Sequence, residues 1–307
     1  MSFLRSTDVV ILDGGLATAL EQRGFDLNDA LWSARLLLEE PEAIRRIHLD
    51  YLDAGADCIT TASYQATIEG FKKQGLPESE SVDLLRRSVR LAQSARDEFW
   101  ARGDHRPDRL RPLVAASIGP YGAYLADGSE YTGDYDLDED GLFEFHRKRW
   151  EILCATGPDV LACETIPSQP EARALMRLLE QTASIPAWFS FTCRDGLHVS
   201  DGTRIADAIA PLESCDRVVA VGVNCVAPRL VPELIREVRK ASSKPIVVYP
   251  NSGEVYDAAA KCWRPGEEAA DLGEACIEWR RIGARLIGGC CRTRPEDIRR
   301  IREALRP

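Results

Sequence analysis

Short apolar runs recur along the chain, each followed by a Gly or polar residue and then by a stretch with helical spacing. Eight runs read as strands: residues 9–13, 58–63, 113–119, 160–165, 187–193, 218–225, 246–251 and 286–291. They are rich in Val, Ile, Leu and Ala and almost continuously apolar, the pattern of strands buried on both faces. Between them lie stretches that predict helices over 41–54, 78–101, 138–156, 170–181, 203–212, 228–241, 267–282 and 295–305. Pro and acidic residues open several of these, and Gly55, Gly157 and Gly283 follow three of them, as start and stop signals require.

Strict alternation of strand and helix predicts a parallel sheet, because parallel neighbours need crossover connections. Eight such units over 307 residues predict a (β/α)8 TIM barrel as one domain spanning 1–307. The competing doubly wound sheet normally carries a GxGxxG turn after its first strand, and Asp13-Gly14-Gly15-Leu16-Ala17 lacks that spacing. Two insertions interrupt the pattern. Residues 102–111 read as a charged surface connection. Residues 121–136 hold four Tyr, three Gly and four acids. They follow the third strand, on the face where barrel active sites form.

Composition narrows the class without naming a chemistry. The 39 Lys and Arg against 49 Asp and Glu give a net charge of −10, with 45% hydrophobic residues. This excludes disorder, and an acidic chain without a basic cluster argues against a nucleic-acid partner. No apolar run is long enough for a membrane span, and the first 15 residues do not read as a signal peptide. The expectation is a cytoplasmic protein with reduced thiols, which makes its ten cysteines the unusual feature.

A barrel delivers the C-terminal ends of its strands to one mouth. Those ends read Asp13-Gly14-Gly15, Thr60-Thr61, Ser117-Ile118-Gly119-Pro120, Cys163-Glu164-Thr165, Thr192-Cys193, Asn224-Cys225, Pro250-Asn251-Ser252 and Gly288-Gly289-Cys290-Cys291. Cys225, Cys290 and Cys291 are placed to converge as three soft ligands, the donor set of a catalytic zinc with an open fourth position. Packing of Cys as a small apolar residue fits the same positions. The other cysteines, Cys58, Cys154, Cys163, Cys215, Cys262 and Cys276, read as packing or surface residues, with Cys193 open to either reading. Asp13 and Glu164 at buried strand ends need a cation, either an Arg or a substrate ammonium. Gly14 and Gly15 offer backbone N–H groups for a carboxylate. His48, His105, His146 and His198 are scattered, without HxH or HExxH spacing, which argues against a metallohydrolase barrel. There is no GxSxG elbow and no Lys at a strand end, so neither a serine nucleophile nor a Schiff base is indicated.

These positions resemble the zinc-dependent homocysteine S-methyltransferases, through Gly222-Val223-Asn224-Cys225, Gly288-Gly289-Cys290-Cys291 and Asp13-Gly14-Gly15. Three further strings, Ser117 to Ala123, Asp127 to Tyr135 and Tyr249 to Asp257, resemble the S-methylmethionine-using branch. The C-terminal arm of the betaine-using branch is not seen, which predicts a monomer.

The resemblance implies one Zn2+ per chain on Cys225, Cys290 and Cys291, and small-molecule partners only: L-homocysteine and a sulfonium donor. A zinc-activated homocysteine thiolate attacks the donor methyl, with no protein nucleophile. Free thiols are mostly protonated at neutral pH, and zinc coordination removes that proton. The resemblance further implies that Asp13 and Glu164 bind the homocysteine ammonium, and that Gly14 and Thr60 bind its carboxylate. Tyr121 and Glu130 are expected at the donor, with Asn224 shaping the zinc surroundings. Three alternatives stay open: S-adenosylmethionine as donor, a non-catalytic zinc or thiol-sensing barrel, and a barrel lyase with structural cysteines.

Overall fold

The computed structural model describes residues 8–26, 35–103, 109–182, 185–257, 262–264 and 271–306, with backbone only at 255–257 and 262–264. Seven parallel strands appear in order: β1 (Val10–Ile11), β2 (Cys58–Thr60), β3 (Leu113–Ile118), β4 (Val160–Ile166), β5 (Ala187–Phe191), β6 (Val218–Asn224) and β7 (Ile246–Tyr249). An antiparallel hairpin, β8 (Val255–Asp257) and β9 (Cys262–Arg264), precedes the last parallel strand, β10 (Ala284–Ile287). The parallel strands form one sheet in the order β1-β10-β7-β6-β5-β4-β3-β2. A parallel bridge between Leu12 and Cys58 joins its two edges. The Asp13 N–H donates to Cys58 O at 3.1 Å, and the Asp57 N–H to Ile11 O at 2.7 Å. The result is a (β/α)8 TIM barrel.

Period-2 geometry divides the strands between two cores. Val10, Leu12, Cys58, Ala115, Val160, Ala162, Trp188, Val247 and Leu286 fill the barrel interior. Val9, Ile11, Ile59, Val114, Ala116, Leu161, Phe189, Val221 and Val248 point outward into a larger layer shared with the helices. Each large apolar side chain in these layers contributes about 1.5–3 kcal/mol by leaving water.

The helices in chain order are α1 (Leu16–Gln22), α2 (Leu36–Glu39), α3 (Pro41–Ala54), α4 (Ile68–Lys73), α5 (Glu78–Ala101), α6 (Tyr121–Leu125), α7 (Glu139–Ala155), α8 (Gln169–Gln181), α9 (Ile205–Ile209), α10 (Val231–Ala241), α11 (Leu272–Ile282) and α12 (Pro295–Leu305). Asp138 caps α7 by accepting from the Gly141 N–H at 2.9 Å, and Asp271 caps α11 by accepting from the Gly273 N–H at 2.9 Å. Among the described residues, no helix is long and apolar enough to cross a membrane.

Several expectations need correction. The short helices α1, α2 and α4 and the β8–β9 hairpin were not anticipated, and residues 121–136 are not plain loop, since they hold α6 and a 3₁₀ turn at Ser129–Tyr131. The helix expected over 203–212 is α9 followed by a 3₁₀ turn at Ala210–Leu212. The last barrel strand ends at Ile287, so Cys290 and Cys291 sit on the turn beyond it. His105, the Cys262 side chain, the middle of the 102–111 connection and the start of the helix expected over 267–282 lie outside the described residues.

At the face opposite the site, Asp57 holds the closing seam. Its carboxylate accepts from the Ile11 N–H at 3.1 Å and from Arg302 of α12 at 3.0 Å. Arg306 lies 3.5 Å from it. This charge is buried but fully partnered, so it anchors the last helix to the first two strands.

Candidate active site

The Sγ atoms of Cys225, Cys290 and Cys291 lie within 4.8 Å of one another, and those of Cys225 and Cys291 are 3.5 Å apart. A tetrahedral thiolate-bound metal with ~2.3 Å bonds needs sulfurs about 3.8 Å apart. The donor set is therefore already gathered to the required scale. Cys225 follows β6 directly and adopts a left-handed backbone, φ 54°, a conformation that costs a non-Gly residue energy. It is held there by its N–H, which donates to Tyr249 O at 3.1 Å. On the other side, the Cys290 N–H donates to Pro250 O at 2.8 Å and the Cys291 N–H to Asn251 Oδ1 at 3.2 Å. Cys225 is buried, whereas Cys290 and Cys291 are half-buried, so the cluster has one open side.

The three thiols do not titrate alike. Hydrogen bonds from Cys290 and Cys291 hold the Cys225 thiol well below its ordinary range, with Tyr131 and Asn251 adding to the effect. The hydrogen bond to Cys225 pushes both Cys290 and Cys291 well up, and burial and the Cys225 charge add to that. One thiolate forms readily, and the next two require a cation to share their charge.

The two predicted carboxylates stand in the same mouth. Asp13 is 6% exposed, and both its oxygens are held by Thr60: Oδ2 by the Thr60 N–H at 2.7 Å, Oδ1 by the Thr60 hydroxyl. Thr60 is thus already committed to Asp13. Glu164 is 8% exposed and accepts from the Ser117 hydroxyl. Burial pushes each carboxyl up to about 7, offset in part by these hydroxyls and, for Glu164, by Tyr249. Among the described residues, no Arg or Lys forms an ion pair with either one, and none is among the largest influences on them. Among the described residues, the Arg ion pair considered from the sequence is therefore not what these carboxylates meet.

The turn after β1 presses on the turn after β10. The Gly289 N–H donates to Asp13 O at 3.0 Å, and a Cβ on Gly15 would come 2.7 Å from Cys290 O. Only glycine allows this contact, which brings the Asp13 turn against the thiol turn. The Thr293 hydroxyl bridges the two by donating to Cys290 O at 2.6 Å and accepting from the Gly15 N–H at 3.1 Å. Among the described residues the Gly14 N–H has no protein acceptor.

Residues 121–135 fold over this mouth. A Cβ on Gly122 would approach Glu130 N to 2.3 Å, so α6 and the 3₁₀ turn pack backbone to backbone. Glu130 is buried, its Oε2 has no hydrogen-bond partner among the described residues, and burial chiefly pushes its carboxyl up to about 7. The Tyr131 hydroxyl lies 3.5 Å from Cys225 Sγ. Tyr121 sits in an aromatic cluster instead, its ring centroid 5.3 Å from that of Tyr135 and 4.8 Å from that of Phe145.

A sequence model described as homocysteine S-methyltransferase matches residues 10–305. The chain belongs to the homocysteine S-methyltransferase family. It is 53% identical over 293 residues to homocysteine S-methyltransferase YbgG of Bacillus subtilis, covering 95% of this chain and 93% of that one. Homocysteine S-methyltransferase of Escherichia coli is 50% identical over 298 residues, covering 97% and 95%. The metallated form of the E. coli homocysteine methyltransferase MmuM superposes with a TM-score of 0.89 at 46% identity, covering 98% of both chains. The protein is accordingly a methyltransferase that uses homocysteine, and neither the non-catalytic sensor nor the barrel lyase fits these relationships.

The structure brings together the three thiols read from the sequence and sets Asp13 against Thr60. Asn224 exchanges hydrogen bonds with Thr165 and reaches Cys290 Sγ at 3.9 Å. Cys193, left open, packs in the outer core, as do Cys163 and Cys276, while Cys58 lies in the barrel interior. Ser117 and Asn251 were read as strand ends at the mouth but given no role, and Tyr249 and the Tyr131 hydroxyl were not singled out. Ser117 and Tyr249 continue the inward-facing series of Leu113 and Ala115 and of Val247, so strand parity was the signal for both.

Proposed function

We propose that the enzyme binds zinc through Cys225, Cys290 and Cys291 and transfers a methyl group from S-methylmethionine to homocysteine. The observation that carries this is a three-thiol cluster sharing its mouth with two buried carboxylates that have no protein cation among the described residues. A set of three soft thiolates suits zinc, and the cluster contains no carboxylate or imidazole among the described residues. Zinc held there would keep a substrate thiol deprotonated and in place.

The chain's own residues supply recognition and orientation. Asp13 and Glu164 bind the homocysteine ammonium, which provides the charge their burial otherwise leaves uncompensated. The Gly14 N–H takes the homocysteine carboxylate. Thr60 fixes Asp13 through both carboxylate oxygens and flanks that carboxylate seat. Glu130, with one buried oxygen unpartnered, and the Tyr131 ring attract the cationic donor, and Tyr121 supports that segment from behind. Asn224 orients the Cys225 turn. The three strings that resemble the S-methylmethionine-using branch support the choice of donor.

Methyl transfer assayed with S-methylmethionine and with S-adenosylmethionine, each with and without added zinc, tests the proposal. Zinc-dependent turnover with S-methylmethionine is expected. Turnover by metal-free protein, or turnover with S-adenosylmethionine alone, would refute the metal or the donor respectively.

A further inference from the structure

Behind the mouth lies a buried polar chain that takes no part in the chemistry above. Glu171, in the first turn of α8, is fully buried and accepts three hydrogen bonds. Its Oε1 accepts from the Tyr121 N–H at 2.6 Å and lies 2.8 Å from His146 Nε2, and its Oε2 accepts from the Tyr135 hydroxyl at 2.7 Å. Both ends of the 121–135 segment are therefore tied to one carboxylate. The sequence Ser168-Gln169-Pro170-Glu171 has the spacing of a capping box. Ser168 does cap the helix, accepting from the Glu171 N–H at 3.4 Å, but the Glu171 side chain is given to the segment.

The other side of this carboxylate is equally committed. Arg149 donates to His146 Nδ1 at 2.8 Å and to Gly119 O at 2.6 Å. Arg149 has only donors, so Nδ1 carries no proton. The single imidazole proton must then lie on Nε2 and is donated to Glu171. A buried cation and a buried anion are joined through one neutral imidazole whose tautomer the geometry dictates. Arg149 also donates from Nη1 to Tyr64 O at 3.3 Å, while its Nε has no partner among the described residues; the bonds on the Glu171 side, by contrast, are all made. The chain runs from the end of β3 through α7 to α8 and terminates on the segment that carries Glu130 and Tyr131.

We propose that Glu171 is a positioning residue for the methyl donor: by holding both ends of the 121–135 segment it keeps Glu130 and Tyr131 over the thiols. This rests on the reading that the segment seats the donor. Glu171→Gln removes the charge that strengthens all three bonds and sets an N–H against the Tyr135 hydroxyl, which must turn from donor to acceptor, so the hold on the segment weakens. Misplacement of about 1 Å costs on the order of 100-fold in such settings.

The test uses zinc-loaded enzyme and KM values for S-methylmethionine and homocysteine measured separately. For Glu171→Gln the expected result is a rise of about ten-fold or more in donor KM, homocysteine KM within about two-fold, and full zinc content. Tyr135→Phe, which removes one hydroxyl and leaves the fold intact, should move donor KM the same way by about three-fold or more. The double variant should be no worse than Glu171→Gln alone, because both act through one latch. A parallel loss in both KM values, or an additive double variant, would overturn the proposal. Glu130→Gln separates the two levels. If it raises donor KM while Glu171→Gln and Tyr135→Phe do not, the positioning role fails and the donor seat stands. If all three leave donor KM unchanged, the seat and the proposal fail together.

Discussion

Asn224 and Thr165 exchange two hydrogen bonds of 2.7 Å, the Thr165 N–H donating to Asn224 Oδ1 and Asn224 Nδ2 donating to Thr165 Oγ1. Thr165 has a left-handed backbone, φ 57°, and lies where the β4–β5 register shifts. This bulge follows Glu164 directly, and Asn224 precedes Cys225. One side chain therefore sets the strand ends that carry Glu164 and Cys225. Asn224→Ala would leave the buried Thr165 N–H unpaired and cost about 1–3 kcal/mol. A lower urea midpoint, together with faster loss of metal to a chelator, is the expected outcome. Unchanged metal retention would mean that the Cys225 turn holds its shape alone.

Removal of a thiol should separate activity from folding. Cys225→Ala and Cys291→Ala each leave two soft ligands, and metal content should fall from one per chain toward zero. With the substrate thiol no longer activated, turnover should drop by about 1000-fold or more. Circular dichroism should remain native, because neither side chain carries much of the core. Elemental analysis beside activity checks this, and retained turnover without metal would exclude the mechanism.

Glu164→Gln removes one of the two carboxylates assigned to the homocysteine ammonium. Homocysteine KM should rise by about ten- to a hundred-fold, the size of a lost buried charge pair, with donor KM little changed. Gln can still accept from Ser117 and Tyr249, so the fold should tolerate it. An unchanged homocysteine KM would make Glu164 a structural residue.

The raised carboxyls give a signed pH dependence. Asp13, Glu164 and Glu130 are each held up at about 7, above the ordinary carboxyl range. Between about pH 4 and 7 the folded state binds more protons than the unfolded chain, so stability falls as pH rises through that window. Pairing with the homocysteine ammonium favours the charged forms, so homocysteine should bind more tightly as pH rises toward 8. Below pH 7 its KM should grow by up to about ten-fold per pH unit for each group that must ionise. Thermal midpoints at pH 5 and 7.5, with and without homocysteine, and KM across the same range test both signs. Asp13→Asn should flatten the KM profile.

The barrel was legible because its strands are buried on both faces, and continuous apolar runs such as Val218–Asn224 leave few other readings. The thiols and carboxylates were legible because strand ends converge whatever the family. The elements that escaped are those made by tertiary contact. Helix α6 sits in a stretch rich in Gly and Tyr that propensity reads as loop, and the approach of Gly122 to Glu130 stabilises it. Helix α1 has only seven residues, too few to show a period. Asn251 acts through its side-chain amide and Thr293 through a hydroxyl between two turns. Neither role leaves a pattern in the order of residues.

The seam of the barrel has a temporal consequence. The turn after β1 supplies Asp13 and Gly14, the turn after β10 supplies Cys290 and Cys291, and the two meet where the sheet closes on itself. During synthesis most of the strands can exist before any substrate site does. At the site proposed above, a ribosome would have to release nearly the whole chain before homocysteine or metal could be held, so binding there would report completion of the circle rather than growth of its parts.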